Sequence, residues 1–377
     1  MNVVFITNIL TPYRMHFYDL MSAELSKSDD TLKVLVMLKE DHNAYWNYNT
    51  YKREYTELIP CHYVGKYGGE FFINTGLKKR IDRNTPDIIV LCGSYWYPSL
   101  IYISSVYKNR AKILYWSESN KIKIDRSNKI KKKIREYIRK RQFQKYYGFL
   151  YPGDLAKELI LDYNKTPSFM FCLPNIVDET KFKNIMPEVD YLTRSKLNLP
   201  NDKIVLFCSA RLSEEKGLVP FFNEVIKSKL KNKACFVIAG SGPLEKDIRD
   251  LATNNGLDIR LLGVINQDDM ISYYRSCDMF FLPSYSDPSP LSCVEAIWSK
   301  CPILISNRVG NQCEVLQSGE NGFIFDPDST YVDTLDRITE LDNLWVENAR
   351  KKSIDIAEKN FSSIDIVTSL IKEFAAM

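Results

Sequence analysis

No stretch of this chain approaches the roughly 20 consecutive apolar residues that a membrane-spanning helix requires, although 45% of its 377 residues are hydrophobic. The apolar residues come in short runs, which suits a globular protein built from buried strands and amphipathic helices. The first run, Val3 to Ile6, has strand length, lacks a basic lead and ends in Thr-Asn, so it does not read as a secretion signal. Histidine is scarce, with only His16, His42 and His62, all early in the chain. No metal site is expected; Asp326-Pro-Asp328 reads as a turn. The nine cysteines are odd in number and contain no Cys-x-x-Cys pair. Several of them, such as Cys92, Cys208 and Cys235, fall in expected strands, so they read as buried thiols of a reducing compartment and not as disulfides or zinc ligands. Gly-x-Gly-x-x-Gly does not follow the first strand, which argues against a nicotinamide or flavin dinucleotide site.

What is present is an alternation of apolar strand-length runs with amphipathic helical runs, the pattern of parallel sheets covered on both faces. The length leaves room for two domains with their own cores. The spacing predicts strands over Asn2 to Thr7, Leu32 to Met37, Asp87 to Cys92, Ile113 to Trp116 and Gly148 to Tyr151. The first helix is expected from Met15 to Leu25, after a loop holding Thr11, Pro12, Tyr13 and Arg14. A break is expected near Pro174 to Asp178, giving an N-terminal domain over 1–175 and a C-terminal domain over 176–361. A final helix, 362–377, is apolar at Ile364, Val367, Leu370, Ile371 and Phe374.

The most informative stretch is 283–302, which places Asp287 and Glu295 with seven residues between them around a loop-to-helix junction. Met279 to Leu282 reads as a buried strand, the Pro/Ser/Asp cluster as the loop at its end, and Leu291 to Trp298 as a helix. Two prolines delay the helix start to about Ser289 or Pro290. Its first free N–H groups then face the carboxyl edge of the sheet, where an open α/β sheet binds anions. Upstream, the strand Lys203 to Ser209 runs into Arg211 and Lys216, two cations leaving one strand end. Arg engages phosphate as a bidentate fork and Lys as a point charge. Both stabilise a pyrophosphate leaving group more as its charge develops than before. A third strand, Ala234 to Ala239, leads into Gly240-Ser241-Gly242, where glycine permits close backbone approach.

Taken in order, these three segments resemble the retaining glycosyltransferases of the two-Rossmann B type, and in particular glycosyltransferase family four, the group 1 glycosyltransferases. Ala296 and Pro302 also match. The sequence departs from the family in having Asp at 287 and Pro-Ser-Pro where Gly-Phe-Gly is usual. The resemblance implies an α/β fold with two Rossmann-like domains facing each other across a deep cleft and a C-terminal helix crossing back to the first domain. It implies that Arg211, Lys216, Asp287 and Glu295 are catalytic, with Asp287 on the sugar hydroxyls and Glu295 on the ribose. Gly240, Gly242, Ser289, Pro290, Leu291 and Ser292 are then expected to bind the donor, a nucleotide diphosphate sugar, expected to be uridine-based. That donor is a substrate, so no cofactor is expected, and the departing phosphate oxygen can take the acceptor proton without a protein base or a metal. Surface polysaccharide biosynthesis in a microbe, on a membrane- or lipid-linked glycan acceptor, is the implied setting. A nucleotide-sugar epimerase of the same fold and a non-catalytic membrane-associated subunit are the alternatives.

In the N-terminal half, Thr11, Pro12, Tyr13 and His16 are expected near the acceptor. The aromatic loops His42 to Tyr55 and Cys92 to Pro98 supply rings suited either to core packing or to stacking on sugars. Trp96 is the preferred acceptor contact among them, with Glu118 as a further positioning group. Finally, Lys121 to Lys145 carries twelve Lys or Arg against two acidic residues, a net +10; with the whole chain at +4, the remainder sums to −6. Ile130, Ile134, Ile138 and Phe143 are expected to pack on the sheet, turning the cations toward anionic lipid. No recognition motif points to nucleic acid. The expected location is cytoplasmic, on the inner face of the cell membrane.

Overall fold

The computed structural model describes residues 1–40, 47–63, 72–121, 129–183 and 191–377. His42, Tyr45 and Trp46 of the first aromatic loop, and 122–128 of the basic run, lie outside the described residues. The chain divides into two compact units, Met1–Ile176 with Ser363–Met377, and Val177–Ser362. Among the described residues, no helix is long and apolar enough to cross a membrane.

The first unit contains β1 (Asn2–Thr7), β2 (Thr31–Val36), β3 (Thr56–Leu58), β4 (Cys61–Tyr63), β5 (Phe72–Asn74), β6 (Ile88–Cys92), β7 (Lys112–Trp116), β8 (Gly148–Tyr151) and β9 (Phe169–Cys172). Seven of these form one parallel sheet in the order β3-β2-β1-β6-β7-β8-β9, while β4 and β5 pair antiparallel. All five residues of β6, Ile-Ile-Val-Leu-Cys, are buried. A strand enclosed on both faces needs such a continuous apolar run. The chain works outward from β1 to β3 and returns to β6 on the other side of β1, so the strand order reverses between β1 and β6.

The first helix spans Pro12–Leu25. It begins three residues before the expected Met15, because Pro12 has its φ already set for a first helical position and lacks an N–H that would go unpaired there. Tyr13 and Arg14 therefore belong to the first turn and not to a loop. The final helix, Ser363–Ala376, shares this unit's core, where Val367, Leu370 and Phe374 join Phe17, Tyr18 and Met21.

The basic helix, Lys129–Phe143, departs from expectation. Phe143 is buried and Ile138 packs at the core margin, but Ile130 and Ile134 are exposed, as is Tyr137. The reason is geometric: steps of four residues drift by about 40° each, so a run of i+4 isoleucines winds off one face. The inner face is held instead by Gln142 and Phe143 and by two guanidinium groups. Arg135 lies 5.1 Å from the Trp96 ring centre, and Arg139 lies 4.8 Å from Tyr95 and 5.3 Å from Tyr163.

The second unit contains β10 (Ile204–Ser209), β11 (Ala234–Ala239), β12 (Asp258–Gly263), β13 (Met279–Leu282), β14 (Ile303–Ser306) and β15 (Gly322–Phe325). All pair parallel in the order β12-β11-β10-β13-β14-β15, and the order reverses between β10 and β13. Its core is aromatic: Phe221 stacks on Phe281 at 4.9 Å, and Phe222 meets Phe236 edge-on at 5.2 Å. All nine cysteines are free thiols; six are buried, while Cys172 and Cys313 are exposed. Burial pushes the Cys208 and Cys235 thiols up to about 12, which leaves them protonated packing groups.

Candidate active site

At the carboxyl edge of the second sheet, three loops are bound to one another by backbone. The loop after β10 passes Arg211 to a short 3-10 turn, Glu214–Lys216, closed by Gly217. Gly217 sits at φ +66°, and a Cβ there would meet the Pro283 carbonyl at 2.2 Å, so only glycine allows this turn to lie against the loop after β13. The Glu215 carbonyl accepts from Tyr285 N at 2.8 Å, completing the joint. The Gly240-Ser241-Gly242 turn does the same on the other side. A Cβ on Gly240 would meet the Ala210 carbonyl at 2.0 Å and one on Gly242 the Leu212 carbonyl at 2.4 Å. Leu212 N donates to Ser241 O and Leu244 N to Leu212 O, each at 3.0 Å. These glycines thus bring the Arg211 loop and the turn after β11 together.

Across the reversal point, the Lys216 ammonium donates to Asp287 Oδ2. Burial pushes the Asp287 carboxyl up from its ordinary range, against the opposing pull of Lys216. Its backbone is fixed as well, since Gly310 N donates to Asp287 O at 2.7 Å. The helix Leu291–Trp298 starts at an extended Pro290, so Leu291 and Ser292 present first-turn N–H groups with no intrahelical partner. Asn311, buried, anchors that start by donating from Nδ2 to Pro290 O at 3.1 Å. Glu295 lies one turn further in and accepts from the fully buried Tyr274 hydroxyl at 2.9 Å. Burial raises the Glu295 carboxyl, and the Tyr274 bond opposes it. Arg211 is exposed at the mouth of its loop. Arg211, Lys216, Asp287, Glu295, the two glycines and the 289–292 helix start therefore converge at one sheet edge.

The expected residues of the first unit do not all gather. Around the ends of β1 and β7, the buried Arg14 donates from Nη2 to Glu118 Oε1 at 2.7 Å and from Nη1 to Thr7 Oγ1 at 3.3 Å, and its guanidinium lies 4.7 Å from the Trp116 ring centre. Tyr13 adjoins this pair, and its phenol is raised by burial and by the Glu118 charge. Thr11, buried, precedes Pro12 as the helix N-cap residue. His16 instead faces the final helix, with Nε2 3.1 Å from Ser363 Oγ. Trp96 sits beside Tyr97, at 5.6 Å, and against Arg135 of the basic helix. Sequence reasoning passed over Arg14, Tyr274 and Asn311. Arg14 was in view within Thr-Pro-Tyr-Arg; the other two carried no local signal. Among the described residues, no three His, Cys, Asp or Glu side chains are grouped to hold a metal ion.

Residues 191–359 match the family model of glycosyl transferases group 1. The UDP-Gal:alpha-D-GlcNAc-diphosphoundecaprenol alpha-1,3-galactosyltransferase of Escherichia coli is 29% identical over 208 residues, 53% of this chain and 52% of that protein. A GDP-mannose-dependent monoacylated alpha-(1-6)-phosphatidylinositol monomannoside mannosyltransferase of Corynebacterium glutamicum is 33% identical over 115 residues, 30% of each chain. The match spans about half the length of the first of these curated relatives and less of the second. Among solved structures, HepE of Anabaena in complex with UDP superposes over 100% of both chains with a TM-score of 0.76 at 15% identity. Sucrose-phosphate synthase from Thermosynechococcus elongatus does so with 0.74 at 15%. The fold is that of the B-type glycosyltransferases, with two Rossmann-like units.

Proposed function

Because residues 191–359 belong to the group 1 glycosyl transferases, we infer that the chain is a retaining glycosyltransferase. It moves a hexosyl group from a UDP-sugar to a lipid-linked glycan in surface polysaccharide assembly, without a metal. The observation that carries this reading is the Lys216–Asp287 pair at the sheet edge where the Leu291–Trp298 helix starts, with Arg211 exposed on the Lys216 loop and Glu295 one turn into that helix. Two cations and free N–H groups suit a pyrophosphate, and a half-buried carboxylate one turn into the helix suits the paired hydroxyls of a ribose. As the glycosidic bond breaks, its electron pair goes to the β-phosphate oxygen, where Arg211 and Lys216 stabilise the growing charge. The acceptor hydroxyl attacks from the same face and gives its proton to that oxygen, so the anomeric configuration is kept and no protein base is consumed. The names of the relatives support the acceptor class, since both act on lipid-carried acceptors, and the first of them uses UDP-Gal.

The basic helix supports a peripheral location on the cytoplasmic face of a membrane. Ile130, Ile134 and Tyr137 form an exposed line at i, i+4 and i+7, flanked by exposed Lys131, Lys133, Lys140 and Arg141. Apolar groups entering the headgroup boundary with cations beside them bind anionic bilayers. The deciding experiment incubates the protein with a panel of nucleotide sugars and N-acetylglucosaminyl diphosphate carried on a short lipid, then reads the product and its anomeric configuration by NMR. Transfer with retained configuration is expected. Conversion of the donor with no acceptor present would mark an epimerase, and no conversion at all a non-catalytic subunit.

A further inference from the structure

We propose that Arg14 is a positioning residue, whose buried guanidinium holds Glu118 so that the carboxylate accepts a hydrogen bond from a hydroxyl of the sugar acceptor; this rests on the transferase reading above. The guanidinium is fixed by four partners, Glu118 Oε1, Thr7 Oγ1, the Tyr13 hydroxyl and the Trp116 ring. Thr7 ends β1 and Trp116 ends β7, while Cys92 at the end of β6 lies close enough for its thiol to feel both charges. The pair therefore arches over the carboxyl ends of the strands where the order reverses, the place at which open parallel sheets hold ligands.

The asymmetry of the pair sets the ligand class. A guanidinium buried without a counter-charge is strongly unfavourable, so Arg14 requires Glu118. Glu118, in contrast, has a side chain 39% exposed and spends one oxygen on Arg14, which leaves the other to a ligand. The outward end of the pair is thus a fixed carboxylate. It repels phosphate and accepts charge-assisted bonds from hydroxyls. Tyr13 beside it accepts from Arg14 Nε at 3.4 Å through its hydroxyl, which keeps its own proton to give. An acceptor oxygen and a phenol donor at one edge suit a neutral, polyhydroxylated ring.

The test uses the whole chain, a UDP-sugar that it turns over, and N-acetylglucosaminyl diphosphate on a short lipid. Arg14→Met, Arg14→Lys, Glu118→Gln and the Arg14→Met/Glu118→Gln double variant are compared for acceptor KM, kcat, UDP Kd by calorimetry and thermal midpoint. Arg14→Met and Glu118→Gln should each raise acceptor KM by about tenfold or more, with UDP Kd unmoved. The double variant should be no worse than either alone, and Arg14→Lys should recover part of the loss. Unchanged acceptor KM, additive losses, or an equal loss of UDP affinity would overturn the assignment. If Arg14→Met does not fold, Glu118→Gln against Arg14→Lys decides by the same readouts. A wild-type chain that transfers no sugar to any acceptor of the panel sinks the transferase reading and this inference with it.

Discussion

In the C-terminal unit the buried member of the switch-point pair is the carboxylate, Asp287 at 10% exposure against 20% for Lys216. In the N-terminal unit it is the cation, Arg14 at 4% against 39% for Glu118. Both pairs follow the same plan, a cation carried just after the first strand of its sheet and a carboxylate brought from a strand beyond the reversal. What differs is which member is buried, and on the proposed reading which end meets the ligand. A lone buried charge is too costly in either sheet, so each buried member must be paired. The less buried member then gives each edge its sign. One scaffold used twice thus offers a cationic edge suited to pyrophosphate and an anionic edge suited to hydroxyls.

The sharpest way to break this contrast is at Lys216. Lys216→Ala strands the Asp287 carboxylate and, on the proposed reading, removes a cation from the leaving group, so kcat/KM for the UDP-sugar should fall by at least about a hundredfold. Lys216→Arg should retain part of it. Steady-state kinetics with the donor varied decide the matter: a loss under threefold would place the pyrophosphate elsewhere. Charge reversal at Arg211 should act in the same direction, because its exposed guanidinium leaves the fold untouched and changes only the cationic edge.

A second comparison sets the basic helix against the sheet that it covers. Ile130→Ser combined with Ile134→Ser should lower partition onto anionic vesicles by about tenfold or more while leaving the thermal midpoint in place, since neither side chain is buried. Co-sedimentation with anionic and neutral vesicles at two salt concentrations is the measurement. Equal, salt-insensitive binding to both would remove the electrostatic contribution.

The contrast between the units also explains what the amino-acid sequence disclosed. Arg211, Lys216 and Asp287 were legible because each stands in the loop that follows a short apolar strand, and Glu295 because it lies one turn into the helix after such a loop, so the local pattern alone put them at a sheet edge. Arg14 and Glu118 stand 104 residues apart, and nothing local says that they meet. Tyr274 and Asn311 are likewise defined by partners more than 20 residues away. The stripe of isoleucines misled for a different reason: i+4 spacing gives an approximate face, and the cation–ring contacts of Arg135 and Arg139 fixed the rotation of the helix. Pro12 opens the helix instead of ending the loop because proline is as much at home in the first turn of a helix.

The smallest expected effect is the pH dependence at the half-buried Glu295, set against Glu118. Glu295 has its carboxyl raised by burial, so the folded state favours the neutral form, and the stability it contributes is lost as pH rises through the raised value. Glu295→Gln cannot ionise, yet it keeps an oxygen to accept from Tyr274. Its thermal midpoint should therefore exceed the wild type's at pH 8, with the gap closing as pH falls, a gain in stability set against loss of the proposed donor contact. Glu118→Gln should move the other way, because it leaves Arg14 buried beside a neutral amide. A gap at position 295 that is the same at pH 4 and pH 8 would show that ionisation is not its source, and the two sites would then differ in packing alone.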